Sequence, residues 1–248
     1  MHSMNSHLVL GRKPVLELLE RDRTDIDLVL IKKPVPKGLH RVLERCKQRK
    51  VRYKLVPESE LDRLGTTHQG VAARMQVQPS ADPDSIIAEA NEASFPVILV
   101  LDQVQDPGNL GTLARTMSAL GGAGIILPKD RSAPLGPGAM KASAGSLSRI
   151  GTARVTNLAR TLDRMLEQNL HIYGAVMNEG ESVLETNFRF PAALVLGGEE
   201  KGIRPNVLKR CTHRIHIPMP GGLDSLNVAQ AGALILGQML GNKVKGES

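Results

Sequence analysis

Residues 96–101 read Pro-Val-Ile-Leu-Val-Leu, an apolar run with no polar alternation. A run of that kind is a strand covered on both faces, the condition of a strand inside a parallel sheet flanked by helices. Apolar segments at 124–127, 171–176, 192–196 and 214–217 repeat the signal. Between them lie a helical pattern at 110–120, a loop and helix at 136–147, and an amphipathic helix at 160–168. Strands alternating with helices imply an α/β domain with a mostly parallel sheet, here residues 95–248. Ligands of such sheets gather at the carboxyl ends of the strands, so the chemistry is to be sought in the turns found there.

The first third has a different character. Residues 10–77 read as three helix–strand pairs: helix apolar positions at Val15, Leu16, Leu18 and Leu19 precede a strand at 26–31. A second helix, marked by Leu39, Val42, Leu43 and Cys46, precedes a strand at 51–56, and a short helix opened by Pro57 and Ser59 precedes a strand at 70–77. Residues 1–78 are therefore expected to form a small α/β domain, a sensible size for one. Residues 79–94 are expected to be a linker holding a short helix near 86–91.

Charge separates the two parts. Residues 1–80 carry 16 Lys and Arg against 9 Asp and Glu, whereas residues 81–248 carry 16 against 16, so the whole net charge of +7 sits in the first third. The second helix alone bears Arg41, Arg45, Lys47, Arg49 and Lys50. That makes the first domain the candidate for a polyanion such as RNA, with a solvated basic surface as the plain alternative. With aromatic residues at 2% and no Trp, nucleic-acid contact would rest on phosphates and shape rather than on stacked bases.

Several classes fall away. No apolar run is long and unbroken enough to span a bilayer, and residues 1–6 lack the apolar core of a signal peptide. Cys46 and Cys211 stand far apart, which suits a reducing cytoplasm better than a disulfide scaffold. No His, Cys and Asp spacing argues for a metal. Neither dinucleotide nor nucleotide-phosphate glycine motif is present, because Gly121, Gly122 and Gly124 have the wrong spacing.

Three glycine-bearing polar turns each follow a buried strand. The first holds Asn109, Gly111 and Arg115; the second Gly197, Gly198, Glu199 and Gly202; the third runs through residues 217–230. In the third, Pro218 and Pro220 end a strand, Gly221 and Gly222 turn the chain, and an apolar helix is expected from 225 to 240. Asp224 or Ser225 is the expected cap, which sets Ser225 and Asn227 beside free amides that can hold a polar ligand. An ordinary capped junction is the alternative for that turn, and a structural salt bridge is the alternative for Arg115.

Taken together, the three turns resemble the SpoU (TrmH) branch of the SPOUT RNA methyltransferases. Its motifs run N-x-G-x-x-x-R, G-x-E-x-x-G and I-P-M-x-G-x-x-x-S-L-N-V, and all three stand in this order between residue 97 and the C-terminus. Lys129-Asp130-Arg131-Ser132 and Lys141-Ala142-Ser143-Ala144-Gly145 further resemble the bacterial subfamily acting on a guanosine in the peptidyl-transferase loop of large-subunit (23S) rRNA. Ala229, and Gly237 or Gln238, depart from the residues common in relatives.

The resemblance implies S-adenosylmethionine as cofactor, 2′-O-methylation of an RNA ribose, a C-terminal trefoil knot, and a cytoplasmic homodimer with the site at its interface. The basic N-terminal domain is similar to the substrate-binding domain that many relatives carry. Family motifs place Asn109, Arg115, Glu199, Ser225 and Asn227 at the reacting centre. They place Leu196, Gly197, Gly198, Gly202, Ile217, Met219 and Leu226 around the cofactor, with no metal. A guanidinium stays charged, so Arg115 is expected to grip phosphate or developing negative charge, leaving the proton to a carboxylate or water. A tRNA enzyme, a catalytically silent RNA-binding protein and a nicotinamide-dependent enzyme are the competing readings.

Overall fold

The structure, a computed structural model, describes residues 8–20, 26–75, 80–222 and 225–246. The reading of residues 1–6, the end of the 70–77 strand and the capping role of Asp224 lie outside the described residues. The chain divides into two compact units, one made mainly from its first third and the other from the rest.

The first unit runs β1 (Leu8–Leu10), α1 (Arg12–Glu20), β2 (Ile26–Lys32), α2 (His40–Gln48), β3 (Tyr53–Val56), α3 (Glu58–Asp62) and β4 (Val71–Met75). The expected helix–strand pairs are present, and β1 is an addition too short to show periodicity. The sheet order is β1-β4-β2-β3, with β4 antiparallel to both neighbours and β2 parallel to β3. Val15 and Leu19 of α1 and Val42 and Cys46 of α2 pack on Val29, Ile31, Val71 and Ala73. Burial pushes the Cys46 thiol up to about 11, so it stays protonated in this core.

The second unit begins with α4 (Pro83–Ala88), capped by the Asp82 carboxylate. Then follow β5 (Phe95–Asp102), α5 (Pro107–Leu120), β6 (Gly122–Pro128), α6 (Pro137–Ala142), β7 (Thr152–Val155) and α7 (Leu158–Glu167). The chain continues through β8 (His171–Ala175), β9 (Glu181–Ser182), β10 (Ala192–Gly197), α8 (Pro205–Leu208), β11 (His213–His216) and α9 (Val228–Gly246). Among the described residues the seven strands of this unit pair in parallel in the order β7-β6-β5-β10-β8-β11-β9. Every residue of β5 is buried, as its unbroken apolar run requires of a central strand.

Three expectations change. The short helix expected within the linker is present, but it packs into the second unit, where Ile86, Ile87 and Ala90 insert into the core formed by Ile98, Val100, Ile126 and Val195. A short apolar trio among Pro, Asp and Ser carries too little periodicity to announce that packing. The strand β7 and helix α8 were not expected, each being only four residues long. The last helix starts at Val228, not near residue 225, because the Asn227 side chain accepts the amides of Ala229 (2.9 Å) and Gln230 (3.4 Å). Asn227 therefore caps the helix, and Ser225 lies in the loop ahead of it.

Candidate active site

Asp106, Pro107 and Asn109 decide how α5 begins. The Asp106 carboxylate accepts the Asn109 amide at 2.7 Å, and Pro107 supplies a first-turn residue with no amide to satisfy. The helix start is thereby locked directly after the carboxyl end of β5. It presents the Asn109 side chain on the first turn and Arg115 about 9 Å further along the axis. Gly111 faces α6: a Cβ there would sit 2.5 Å from both the Ala139 carbonyl and the Ala142 methyl.

The second turn leaves β10 in a shape only glycine permits. A Cβ on Gly197 would fall 2.1 Å from the Gly202 carbonyl carbon, and one on Gly198 would fall 2.5 Å from the Gln103 carbonyl oxygen. Gly202 is needed for a different reason, its left-handed φ of 62°, with open space around it. An antiparallel bridge between Gly198 and Gly202 closes the turn and lifts Glu199 to its rim.

These elements bring one residue from each motif together. Asn109 Nδ2 donates to Glu199 Oε1 at 2.5 Å, and Asn227 Nδ2 donates to Asn109 Oδ1 at 3.0 Å. Asn227 Oδ1 is meanwhile committed to the α9 amides, so the whole relay has one orientation. Glu199 keeps a second oxygen without a hydrogen bond among the described residues, and Glu199 and Asn227 are exposed.

Beside the relay lies a cleft of about 660 Å³ at the carboxyl ends of β8, β10 and β11. Leu196, Gly197, Gly198, Gly202, Ile217, Met219 and Leu226 all line it, as do Glu199, Ser225 and Asn227. Asn109 and Arg115 do not; Asn109 reaches the site only through its two amide hydrogen bonds. Arg115 is exposed on α5 with no side-chain hydrogen bond or ion pair among the described residues, so no salt bridge there explains it.

Sequence reasoning missed two parts of the site. Residues 175–179 after β8 form one wall of the cleft. Asp102 closes β5 fully buried, accepting Arg204 Nε and the Arg204 amide at 2.8 Å each. An Asp at the end of an apolar run was the available signal, since a buried carboxylate must be paired.

An all-parallel sheet with a cleft at its strand ends, lined by two polar turns to which a third is hydrogen-bonded, is a ligand-binding α/β domain. Residues 96–237 match the model of the SpoU rRNA methylase family, and residues 8–76 match that of the RNA 2′-O ribose methyltransferase substrate-binding domain. YacO of Bacillus subtilis (strain 168), described as a TrmH family tRNA/rRNA methyltransferase, is 36% identical over 94% of this chain and 95% of its own. Two solved structures share the fold. AviRb, a SpoU methyltransferase of Streptomyces viridochromogenes solved with AdoMet, has a TM-score of 0.65 at 23% identity, covering 96% of this chain and 91% of its own. A TrmH-family RNA methyltransferase of Porphyromonas gingivalis has a TM-score of 0.60 at 29% identity, covering 95% and 89%. The chain belongs to the SpoU rRNA methylase family. Among the described residues no helix is long and apolar enough to cross a membrane.

Proposed function

We propose that this protein methylates the 2′-hydroxyl of a ribose in RNA, using S-adenosylmethionine, and that the target is a guanosine of 23S rRNA. The observation that carries the reading is the relay Glu199–Asn109–Asn227, which joins the three motifs at the rim of the cleft. Its volume falls within the range of small-molecule and cofactor sites, roughly 300–1,000 Å³. Leu196, Ile217, Met219 and Leu226 supply apolar wall, while Gly197, Gly198 and Gly202 let a ligand approach the backbone. These are the residues that would hold the cofactor, whose bound form supplies an electrophilic methyl group on a sulfonium.

The chain's own residues do the rest. Glu199, exposed and fixed by Asn109 through one oxygen, has a second carboxylate oxygen that can take the hydroxyl proton directly or through water. Arg115 brings a permanent positive charge on the same helix as Asn109 and steadies phosphate or the developing alkoxide. Ser225, exposed at the cleft edge, offers a hydroxyl to the substrate side. Placing the ribose in line with the methyl group is most of the task.

Three further parts belong to the same reading. The first unit is the RNA-binding domain of a cytoplasmic enzyme, supported by its basic excess. The C-terminal part of the second unit is threaded as a trefoil knot. The enzyme is a homodimer, supported by α9, where Leu234 and Val244 are each 55% exposed and a Cβ built at Gly237 or Gly241 would meet nothing within 4 Å beyond its chain neighbours and the adjacent helix backbone. The test is incubation with methyl-labelled S-adenosylmethionine and separate rRNA and tRNA pools. Label in rRNA at a linkage resistant to alkali is expected. Label on a base, or in tRNA alone, would replace this target, and no label would overturn the activity.

A further inference from the structure

The four-residue turn after β6, Lys129-Asp130-Arg131-Ser132, takes no part in the relay or the cleft, yet it is held unusually firmly. The Lys129 amide donates to the Val155 carbonyl at 2.8 Å, and Ser132 Oγ donates to the Pro128 carbonyl at 2.5 Å. Arg154, half-buried on β7, spends one guanidinium nitrogen on both the Lys129 carbonyl (2.7 Å) and Ser132 Oγ (3.0 Å). Its Nε is buried with no hydrogen bond among the described residues, so those that the guanidinium makes all go to that turn.

What this scaffold displays is charge. Lys129, Asp130 and Arg131 are exposed, and their side chains make no hydrogen bond or ion pair among the described residues. Arg131 adopts a left-handed φ of 51°. A turn that only had to reverse the chain would use Gly or Asn at such a position. Arg131 instead sets a long cationic side chain on this exposed turn.

The turn also emerges at the same end of the sheet as the first motif. β5 and β6 are parallel neighbours, so the turns leaving them emerge side by side at one end of the sheet, about 5 Å apart strand to strand. The Ala133 amide donates to the Val104 carbonyl at 2.8 Å, tying this turn to the segment that carries Asp106 and Asn109. Next to Val104, Gln103, itself left-handed at φ 64°, packs on Gly198 of the second motif.

We propose that Lys129 and Arg131 bind the phosphodiester backbone of the RNA beside the target ribose, and that Arg154 is the positioning residue that presents them. The inference rests on the RNA methyltransferase reading above and names a contact surface for its substrate. Asp130 between the two cations keeps the turn from gathering anions indiscriminately and disfavours a phosphate directly over the centre of the turn.

The experiment is methylation of rRNA by the full chain across a salt series, with calorimetric S-adenosylmethionine titration alongside. K129A/R131A should raise KM for RNA on the order of tenfold and flatten the log–log salt slope by about 1.4, from two lost single-strand phosphate contacts. Cofactor affinity should be that of wild type. Arg154→Met should reproduce the rise in KM rather than a fall in kcat, and Arg154→Lys, keeping one donor, should recover most of it. An unchanged salt slope in K129A/R131A, with wild type still methylating RNA, would overturn the proposal and leave the function standing. A wild-type protein that neither binds nor methylates RNA would remove both.

Discussion

Asp102 and Arg204 form the one ion pair in which a fully buried carboxylate meets an arginine among the described residues of the second unit. Both carboxylate oxygens are used, one by the Arg204 backbone amide and one by its guanidinium, while the Asp102 carbonyl accepts the Gly198 amide at 2.9 Å. The pair therefore pins both ends of the turn that carries Glu199. Removing the carboxylate strands a guanidinium and an amide, and breaking such a pair costs about 3–5 kcal/mol. Arg204 is 42% exposed, so water can partly serve the guanidinium and the cost falls below that range. Asp102→Ala should lose about 2 kcal/mol in urea denaturation, chiefly for the amide left unsatisfied. A loss below about 1 kcal/mol would place the pair among ordinary surface contacts.

Two glycines of the same turn should respond differently to an added methyl. At Gly197 the methyl collides with Gly202 backbone at 2.1 Å, so the turn must open. At Gly202 there is room, and the cost is the left-handed conformation alone, about 1 kcal/mol. Gly197→Ala should weaken S-adenosylmethionine binding at least about tenfold, equivalent to 1.4 kcal/mol, and more than Gly202→Ala does. Calorimetric titration showing the reverse order would mean that Gly197 is not part of the cofactor wall.

The parallel sheet and its three turns were legible because each rests on a local cause: an unbroken apolar run, a proline, a glycine pair. The relay was half legible. Resemblance to the family motifs named Asn109, Glu199 and Asn227, but the hydrogen bonds joining them depend on strands β5 and β10 lying side by side, across a wide gap in sequence. Asn227 was read as a site residue and not as a cap, since Asp224 and Ser225 are equally good capping residues on paper. Strands as short as β7 carry too few residues for periodicity, so the grip of Arg154 on residues 129–132, a stretch already named by resemblance, was visible only once folded.

The basic stretch 41–50 of the first unit, α2 and the turn after it, is less free than its composition suggests. Arg41 donates to Glu20 at 2.6 Å, Arg49 donates to the Glu20 carbonyl at 3.2 Å, and Arg45 donates to Gln48 at 3.1 Å. Replacing Arg41, Arg45, Arg49 and Lys50 by Ala should weaken RNA binding and flatten its salt dependence without changing the nucleotide modified. The slope should fall by less than the roughly 2.8 that four full phosphate contacts would give, because these arginines already have partners. A slope identical to wild type would make α2 a solvated face.

The uncovered side of α9 sets the expected assembly. Val228, Gly232, Ile235, Leu236 and Met239 are buried within the subunit, which leaves Leu234 and Val244 outward among Gly237 and Gly241. An apolar helix with its second face bare is most simply covered by its own copy. Light scattering should give twice the 26.8 kDa chain mass, and Leu234→Glu should shift it to the single-chain value. A wild-type monomer at micromolar concentration would remove the dimer from the proposed function.

Arg115 tests the chemistry most directly. It is exposed, it lacks a partner among the described residues, and it lies outside the cleft. Neither stability nor cofactor binding should then depend on it. Arg115→Ala is expected to bind S-adenosylmethionine and to melt as wild type does, while transfer falls roughly a hundredfold to a thousandfold, the worth of a donor aimed at developing charge. Arg115→Lys should not restore the rate, because an ammonium cannot reproduce a planar, two-pronged contact. A purely structural arginine gives the opposite pattern, a lowered melting temperature with activity recovering in the cold. Single-turnover methylation beside calorimetry separates the two, and near-wild-type transfer by Arg115→Lys would show that only charge is needed at this position.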